Sequence, residues 1–368
     1  MTHLSRRAVL SGLAVVPLAA CGQRAQLLGN GVPTAQGARV RRVHVASTRA
    51  PSLDPKLAFD GDRSSILRFS SIDVSIPPNR TPGDIPLPRA PIDATKQFLA
   101  ISRSQPQDIA TWRRDIAGEK DGTQSVVLFV HGYNASHPEA VFRAAQVADD
   151  FGLTEPVALF SWPSAGKAAL YAYDRDSVLF ARDALSETLR ELAKSRTRDI
   201  TILAHSMGAL LTMEAIRNLT LQGDHATLNR LSGIILAEPD IDLDVFRTQI
   251  ALVDLDRTPV AVFVSKKDRI LGLSTFIAGN NPRVGRAENI PELQKLGVVV
   301  IDVSGATDGA FLGHSAFATS PRLLAIIRSG QLGRTVLSGP RQTNLLLSGA
   351  QLVTDTALAV VYLPDIVG

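Results

Sequence analysis

The chain has 368 residues, 45% hydrophobic and 20% charged, a balance that suits a globular protein with a large core and not a disordered one. Its 39 basic and 35 acidic residues leave a formal charge of +4 with no lysine-arginine run, so nothing supports nucleic-acid binding. A single cysteine excludes both a disulfide framework and a paired-cysteine redox site.

The first 20 residues carry Arg6 and Arg7 ahead of an apolar stretch, 8–20, which closes on Leu18-Ala19-Ala20 before Cys21. A basic start, a short apolar segment and small residues before a cut describe a secretory signal. The stretch is too short to be a comfortable membrane span. Cys21 directly after Leu-Ala-Ala resembles the lipobox of bacterial lipoproteins. That resemblance implies an acylated cysteine and a lipid-anchored protein of the cell envelope, with Gly22 rather than an aspartate pointing to the outer membrane. Ser5-Arg6-Arg7 also fits a twin-arginine signal, so the export route stays open. Loss of the signal leaves 37 basic against 35 acidic residues, a balance of +2.

Residues 21–39 are small, polar and glycine-containing, and read as a tether. Residues 40–46 and 66–76 cluster β-formers and predict two strands. Six prolines between 77 and 91 deny any regular element and predict an extended loop, able to shape a cleft or merely wrap a surface. From 125 onward short apolar runs alternate with amphipathic segments. Strands are expected at 126–130, 157–160, 200–203, 231–237, 260–264 and 298–303. Helices are expected at 138–151, 177–193, 209–221 and 321–328. Continuous apolar strands separated by helices predict a doubly wound, mostly parallel α/β sheet with helices on both faces, spanning residues 40–330. Residues 331–368 break that rhythm and read as a C-terminal extension of unassigned role, too interrupted to span a membrane.

The chemistry centres on Ala204-His205-Ser206-Met207-Gly208, directly after the strand at 200–203. A serine between small residues, where a strand must turn sharply into a helix, reads as a nucleophile elbow, with Ala204 in place of the first glycine of G-x-S-x-G. A serine hydroxyl needs a base held by a carboxylate, and in this type of site the order along the chain is serine, acid, histidine. Of the seven histidines, His205 adjoins the serine and is expected to turn away from it, and His225 follows too early. His314, past the last predicted strand, is the candidate base. Asp268, just past the strand at 260–264, is the candidate acid, with Asp240 and Asp242 after the preceding strand as alternatives. The oxyanion donors are expected to be the N–H groups of Met207 and of Tyr133, in Val130-His131-Gly132-Tyr133-Asn134.

These segments, together with Leu159-Phe160-Ser161-Trp162-Pro163-Ser164-Ala165-Gly166, Tyr173-Asp174-Arg175, Val45-Ala46-Ser47-Thr48-Arg49 and Val74-Ser75-Ile76-Pro77-Pro78, resemble a bacterial α/β-hydrolase family of unassigned substrate over residues 40–330. The resemblance implies the α/β-hydrolase fold and an esterase-like triad of Ser206, Asp268 and His314, and it names no substrate. The expectation is therefore a membrane-anchored serine hydrolase acting on carboxylic esters through an acyl-enzyme, needing no metal or organic cofactor. The alternative is an envelope binding or scaffolding lipoprotein that keeps the fold without turnover.

Overall fold

The computed structural model describes residues 24–104, 107–118, 125–277, 281–306, 316–321, 324 and 360–364. The signal segment, Cys21, His314 and most of 331–368 lie outside the described residues. In chain order the elements begin with β1 (Arg39–Pro51), β2 (Phe59–Ile76), β3 (Leu99–Arg103) and α1 (Ile109–Ala117). Next come β4 (Val126–Val130), α2 (His137–Asp150), β5 (Val157–Ser161) and α3 (Tyr171–Lys194). The middle of the chain supplies β6 (Ile200–His205), α4 (Met207–Leu221), α5 (His225–Leu228), β7 (Leu231–Ala237) and α6 (Leu243–Ile250). The last elements are β8 (Val260–Val264), α7 (Arg269–Ile277), α8 (Ile290–Lys295), β9 (Val299–Asp302), α9 (Ala316–Thr319) and β10 (Val360–Tyr362).

The strands form one sheet in the order β10-β9-β8-β7-β6-β4-β5-β1-β2-β3. Strands β1, β5, β4, β6, β7, β8 and β9 run parallel, while β2 and β10 are antiparallel to their neighbours. All five residues of β4, β5 and β8 are buried, as strands covered on both faces require. The side-chain period of two splits each strand between the two layers. Leu128 and Val130 join Leu185, Leu211 and Trp162 under α3 and α4, whereas Val127 and Phe129 join Phe142 and Phe317 under α2 and α9.

From β4 the chain steps to β5 on one side and then crosses back to β6 on the other. The carboxyl ends of β4 and β6 therefore flank the point where winding reverses, where open α/β sheets place their ligands. Both segments singled out from the sequence, 131–134 and 204–208, stand there.

From β4 to β9 the observed strands match the expected ones within two residues, whereas β1 runs five residues past its expected end and β2 begins seven residues before its expected start. Helix α3 begins six residues earlier than its apolar spacing implied, because Tyr171 and Asp174 are fixed by polar contacts that hydrophobic periodicity does not report. Residues 24–32, read as part of a tether, pack on the domain. Ala25 and Leu27 are buried, and the Ala100 N–H donates to Leu28 O at 2.8 Å. Within the segment read as an extension, 360–362 complete the sheet by pairing with β9, and Val361 is buried. The proline-rich segment runs irregularly and is strapped to α2, with Arg80 paired to Asp149 (2.9 Å) and Asp150, and the Gly83 N–H on Asp150 at 2.8 Å. Among the described residues no helix is long and apolar enough to cross a membrane.

Candidate active site

Ser206 links β6 to α4 with φ 53° and ψ −123°, a conformation that side-chain-bearing residues rarely adopt. Backbone bonds hold it there on both sides. Its N–H donates to Ala237 O at 2.9 Å, and its own carbonyl accepts from Ala209 N at 3.0 Å and Asp240 N at 3.2 Å. The small residues around it are required by contact. A Cβ on Gly208 would lie 2.3 Å from His131 O, and one on Gly132 would lie 3.0 Å from Ser206 Cβ. Helix α4 and the loop after β4 thus meet backbone to backbone, with the Ser206 side chain against Gly132. Met207 is the first residue of α4, so its N–H belongs to the open end of the helix, where backbone donors and the helix dipole favour negative charge.

The loop carrying Tyr133 is held by a buried polar network built from the segments that carried the family resemblance. Arg49 on β1 donates to Ser161 Oγ (3.0 Å), Asp60 O (3.0 Å), Ser164 O (2.9 Å) and Ala135 O (2.7 Å), and approaches His131 Nε2 at 3.4 Å. Asp174 accepts from the Asn134 N–H (3.1 Å), the Ala165 N–H (2.7 Å) and the Ser164 hydroxyl (2.6 Å). Trp162 stacks on His131 with ring centroids 4.9 Å apart and donates its indole N–H to His131 O at 2.7 Å. Burial and the neighbouring Arg49 push the His131 imidazole down to about 3, and burial pushes Arg49 down to about 10. His131 is therefore a neutral structural ring. Its Nδ1 lies 2.8 Å from Gly132 O and its Nε2 3.2 Å from Trp162 O, so both ring nitrogens are engaged by the backbone of the two loops.

On the other side of Ser206, β7 leads to Glu238 and β8 leads to Asp268. Asp268 is buried, and its Oδ1 accepts the Leu271 N–H at 2.9 Å, which starts α7. Asp240 is committed elsewhere: its carboxylate takes the Tyr171 hydroxyl (2.8 Å), the Ser274 hydroxyl (2.9 Å) and buried Arg283 at 3.4 Å. Asp242 caps α6. The fully buried Glu238, which sequence reasoning passed over although it follows β7 directly, accepts the Ala316 N–H at 3.0 Å and lies 3.8 Å from His205 Nε2. His205, expected to turn away from the serine, has its ring among Gly132, Glu238 and Phe317. As the last strand residue it projects across Gly132, whose missing side chain leaves room for the ring, and it packs on Phe317 at 5.1 Å. The candidate base, His314, is outside the described residues. The structure thus brings together Ser206, Met207 and the loop carrying Tyr133, with Asp268 on the same edge of the sheet two strands away.

A pocket of about 440 Å³ opens beside this loop, lined by Gly132, Tyr133, His205 and Phe317, by Leu87 of the proline-rich segment and by Arg143 of α2. The proline-rich segment therefore shapes a cleft as well as wrapping a surface.

The chain belongs to the family described as alpha/beta hydrolase of unknown function (DUF900), whose pattern it matches over residues 110–330. No curated protein matches it significantly. Among solved structures it is similar to the hyperthermophilic esterase from the archaeon Pyrobaculum calidifontis, with 13% identity, 81% of this chain and 87% of that chain covered, and a TM-score of 0.36. It is similar as well to Thermogutta terrifontis esterase 2, with 13% identity over 83% and 97% of the two chains and a TM-score of 0.32. The thermostable carboxylesterase EstE1 from a metagenomic library gives 13%, 81%, 90% and 0.35. Likenesses of this size carry no argument about activity, which has to be made from the site itself.

Proposed function

We propose that this α/β hydrolase is a serine hydrolase cleaving carboxylic esters through an acyl-enzyme. The observation that carries the reading is Ser206, held at φ 53° at the head of α4 and flanked by two glycines that only close backbone approach explains. A strained residue at the carboxyl end of a central strand is a reason to infer function. In this mechanism Ser206 attacks the acyl carbonyl, His314 takes the proton and returns it to the leaving alcohol, and Asp268 holds the imidazolium. The N–H groups of Met207 and Tyr133 stabilise the tetrahedral oxyanion, and water attacking through the same base releases the acid.

Asp268 is favoured over Asp240 because the Asp240 carboxylate is already occupied by a buried guanidinium and two hydroxyls. Two strand spacings, roughly 10 Å, separate β6 from β8, a gap of the order that an imidazole with a hydrogen bond at each nitrogen fills. Ala316, two residues along the chain from His314, is held by Glu238 at the neighbouring strand end, which supports a base supplied from this segment. Anchoring to the envelope membrane through acylated Cys21 rests on the signal-like residues 1–20.

A fluorophosphonate probe tests the reading: the purified protein is expected to be labelled at Ser206 and Ser206→Ala to be unlabelled. A folded wild-type protein that resists labelling and hydrolyses no short-chain 4-nitrophenyl ester would refute it.

A further inference from the structure

The pocket beside the Tyr133 loop contains a positive charge that the protein leaves largely unused. Arg143 lines it, and its one hydrogen bond among the described residues is from Nη1 to Gln146 Oε1 at 2.8 Å. No carboxylate lies within ion-pairing distance of it among the described residues. The nearby acids are already engaged. Asp150 takes Arg80, the Gly83 N–H and the Gln146 amide, while Glu139 takes Arg24 at 2.9 Å and the Ser136 N–H at 2.8 Å. Asp84, the remaining acid of the lining, is exposed at the rim. Arg143 is half-buried, and desolvation presses its guanidinium down to about 10, so it stays charged at neutral pH while only partly solvated. The more deeply buried guanidinium groups of this fold have acceptors: Arg49 has four oxygen partners and Arg80 has two carboxylates. The Arg143 Nε and Nη2 groups have none in the protein among the described residues.

We infer that Arg143 is a specificity-determining residue that receives a carboxylate on the substrate, so that the favoured esters are acidic ones such as hemi-esters of short dicarboxylic acids. The inference rests on the proposed hydrolase reading and deepens it. The planar guanidinium fork suits a carboxylate, and a partly desolvated site strengthens a charge-assisted pair. The walls are mixed: Leu87 and Phe317 fit a short methylene chain, while Gly132, against which the Ser206 side chain stands, is the part of the lining that adjoins the nucleophile. No bond is made or broken at Arg143; it orients the substrate.

The test compares the mono-4-nitrophenyl esters of succinic, glutaric and adipic acids with 4-nitrophenyl butyrate, using wild type, Arg143→Gln and Arg143→Lys. Calorimetry of free glutarate on the same proteins runs in parallel. The wild type is expected to prefer at least one hemi-ester over butyrate by kcat/KM. Arg143→Gln is expected to cut that ratio by about ten- to a hundredfold, the span of one charge-assisted hydrogen bond, with partial recovery in Arg143→Lys. A wild type that hydrolyses butyrate but disfavours every hemi-ester overturns the inference and leaves the hydrolase reading intact, and so does a ratio unchanged in folded Arg143→Gln. Hydrolysis of no ester refutes the hydrolase reading instead, and the calorimetry then decides the inference. Glutarate binding weakened tenfold or more by Arg143→Gln sustains it, and equal or absent binding overturns it.

Discussion

Replacing Gly208 by alanine isolates the contact on which the site geometry depends. In an ordinary helix this change gains about 1 kcal/mol, because alanine is the better helix former. Here the new methyl carbon would stand 2.3 Å from His131 O, 2.7 Å from Val130 O and 3.0 Å from His131 C, all backbone atoms at the end of β4. An ordinary carbon-oxygen contact needs about 1 Å more than the shortest of these, so α4 or the loop after β4 must move. Overpacking of this kind costs about 1–3 kcal/mol and sometimes more, and against backbone atoms the upper part of that range applies, so after the helix gain a net loss of about 2 kcal/mol is expected. The displaced peptide adjoins Gly132 and Tyr133, so the proposed oxyanion donor moves with it. A misplacement of about 1 Å near reacting atoms lowers turnover about a hundredfold. Urea unfolding with fluorophosphonate labelling reads both effects. Gly272→Ala in α7 is the control with the opposite sign, since its nearest atom, Arg286 Nη1, stands at an ordinary contact distance of 3.6 Å and the helix gain stands alone. Gly208→Ala that unfolds at wild-type urea and labels at the wild-type rate would refute the reasoning.

Three further outcomes follow from the same geometry. Ser206→Gly is expected to be more stable than Ser206→Ala by about 1 kcal/mol in urea, because glycine relieves a φ of 53° that alanine retains; equal midpoints would contradict a strained elbow. Asp268→Asn keeps the side-chain oxygen that caps α7 but loses the charge, so kcat on 4-nitrophenyl butyrate is expected to drop by about 10³–10⁴ with little change in stability. Asp240→Asn leaves the buried Arg283 without a counter-charge and is expected to lose about 2–4 kcal/mol of stability; the reverse pattern would transfer the acid role to Asp240. Burial holds His44 down to about 4, His131 down to about 3, and His137 well below its ordinary value, so the unfolded chain binds more protons than the folded one below about pH 6.5. Stability is therefore full above pH 6.5 and falls as the pH drops toward these values, by about 1–2 kcal/mol per histidine at pH 5, and a urea midpoint that stays flat from pH 7.5 to 5 would refute it.

Most of the sheet was legible because its strands are continuous apolar runs, and a run such as Val126–Val130 announces burial on both faces whatever surrounds it. What escaped was held by something other than apolar period. Strand β3 and helix α1 fall where the sequence shows no clean alternation, and α1 is started by the Asp108 cap on Thr111 N. Strand β10 has three residues and exists through pairing with β9. The elbow was legible at residue resolution because the strand-serine-helix turn admits few residue types, and Gly208 is one of them. The surroundings of His205 were not legible, because the free space it occupies is created by Gly132, 73 positions earlier, and a one-dimensional pattern does not show that space.

The polar scaffold shows why such residues are hard to assign from sequence. Arg49, the pair Ser161 and Ser164, and Asp174 belong to three separate stretches, and each residue taken alone is an unremarkable polar residue of a loop, strand or helix end. Their joint meaning appears only when β1 is laid beside β5 and the loops after β4 and β5 are brought together. A buried guanidinium is tolerable only if its donors are satisfied, because removing one acceptor leaves a charge stranded in a poorly solvated interior. Arg49 meets that condition through atoms of both loops, Ala135 O on one and Ser164 O on the other. The loop carrying Tyr133 therefore cannot drift outward without breaking bonds to a charge that water does not reach. Rigidity at the proposed oxyanion donor thus originates on β1, two strands away from β4, and the strained Ser206 backbone faces a partner that is fixed before any substrate arrives.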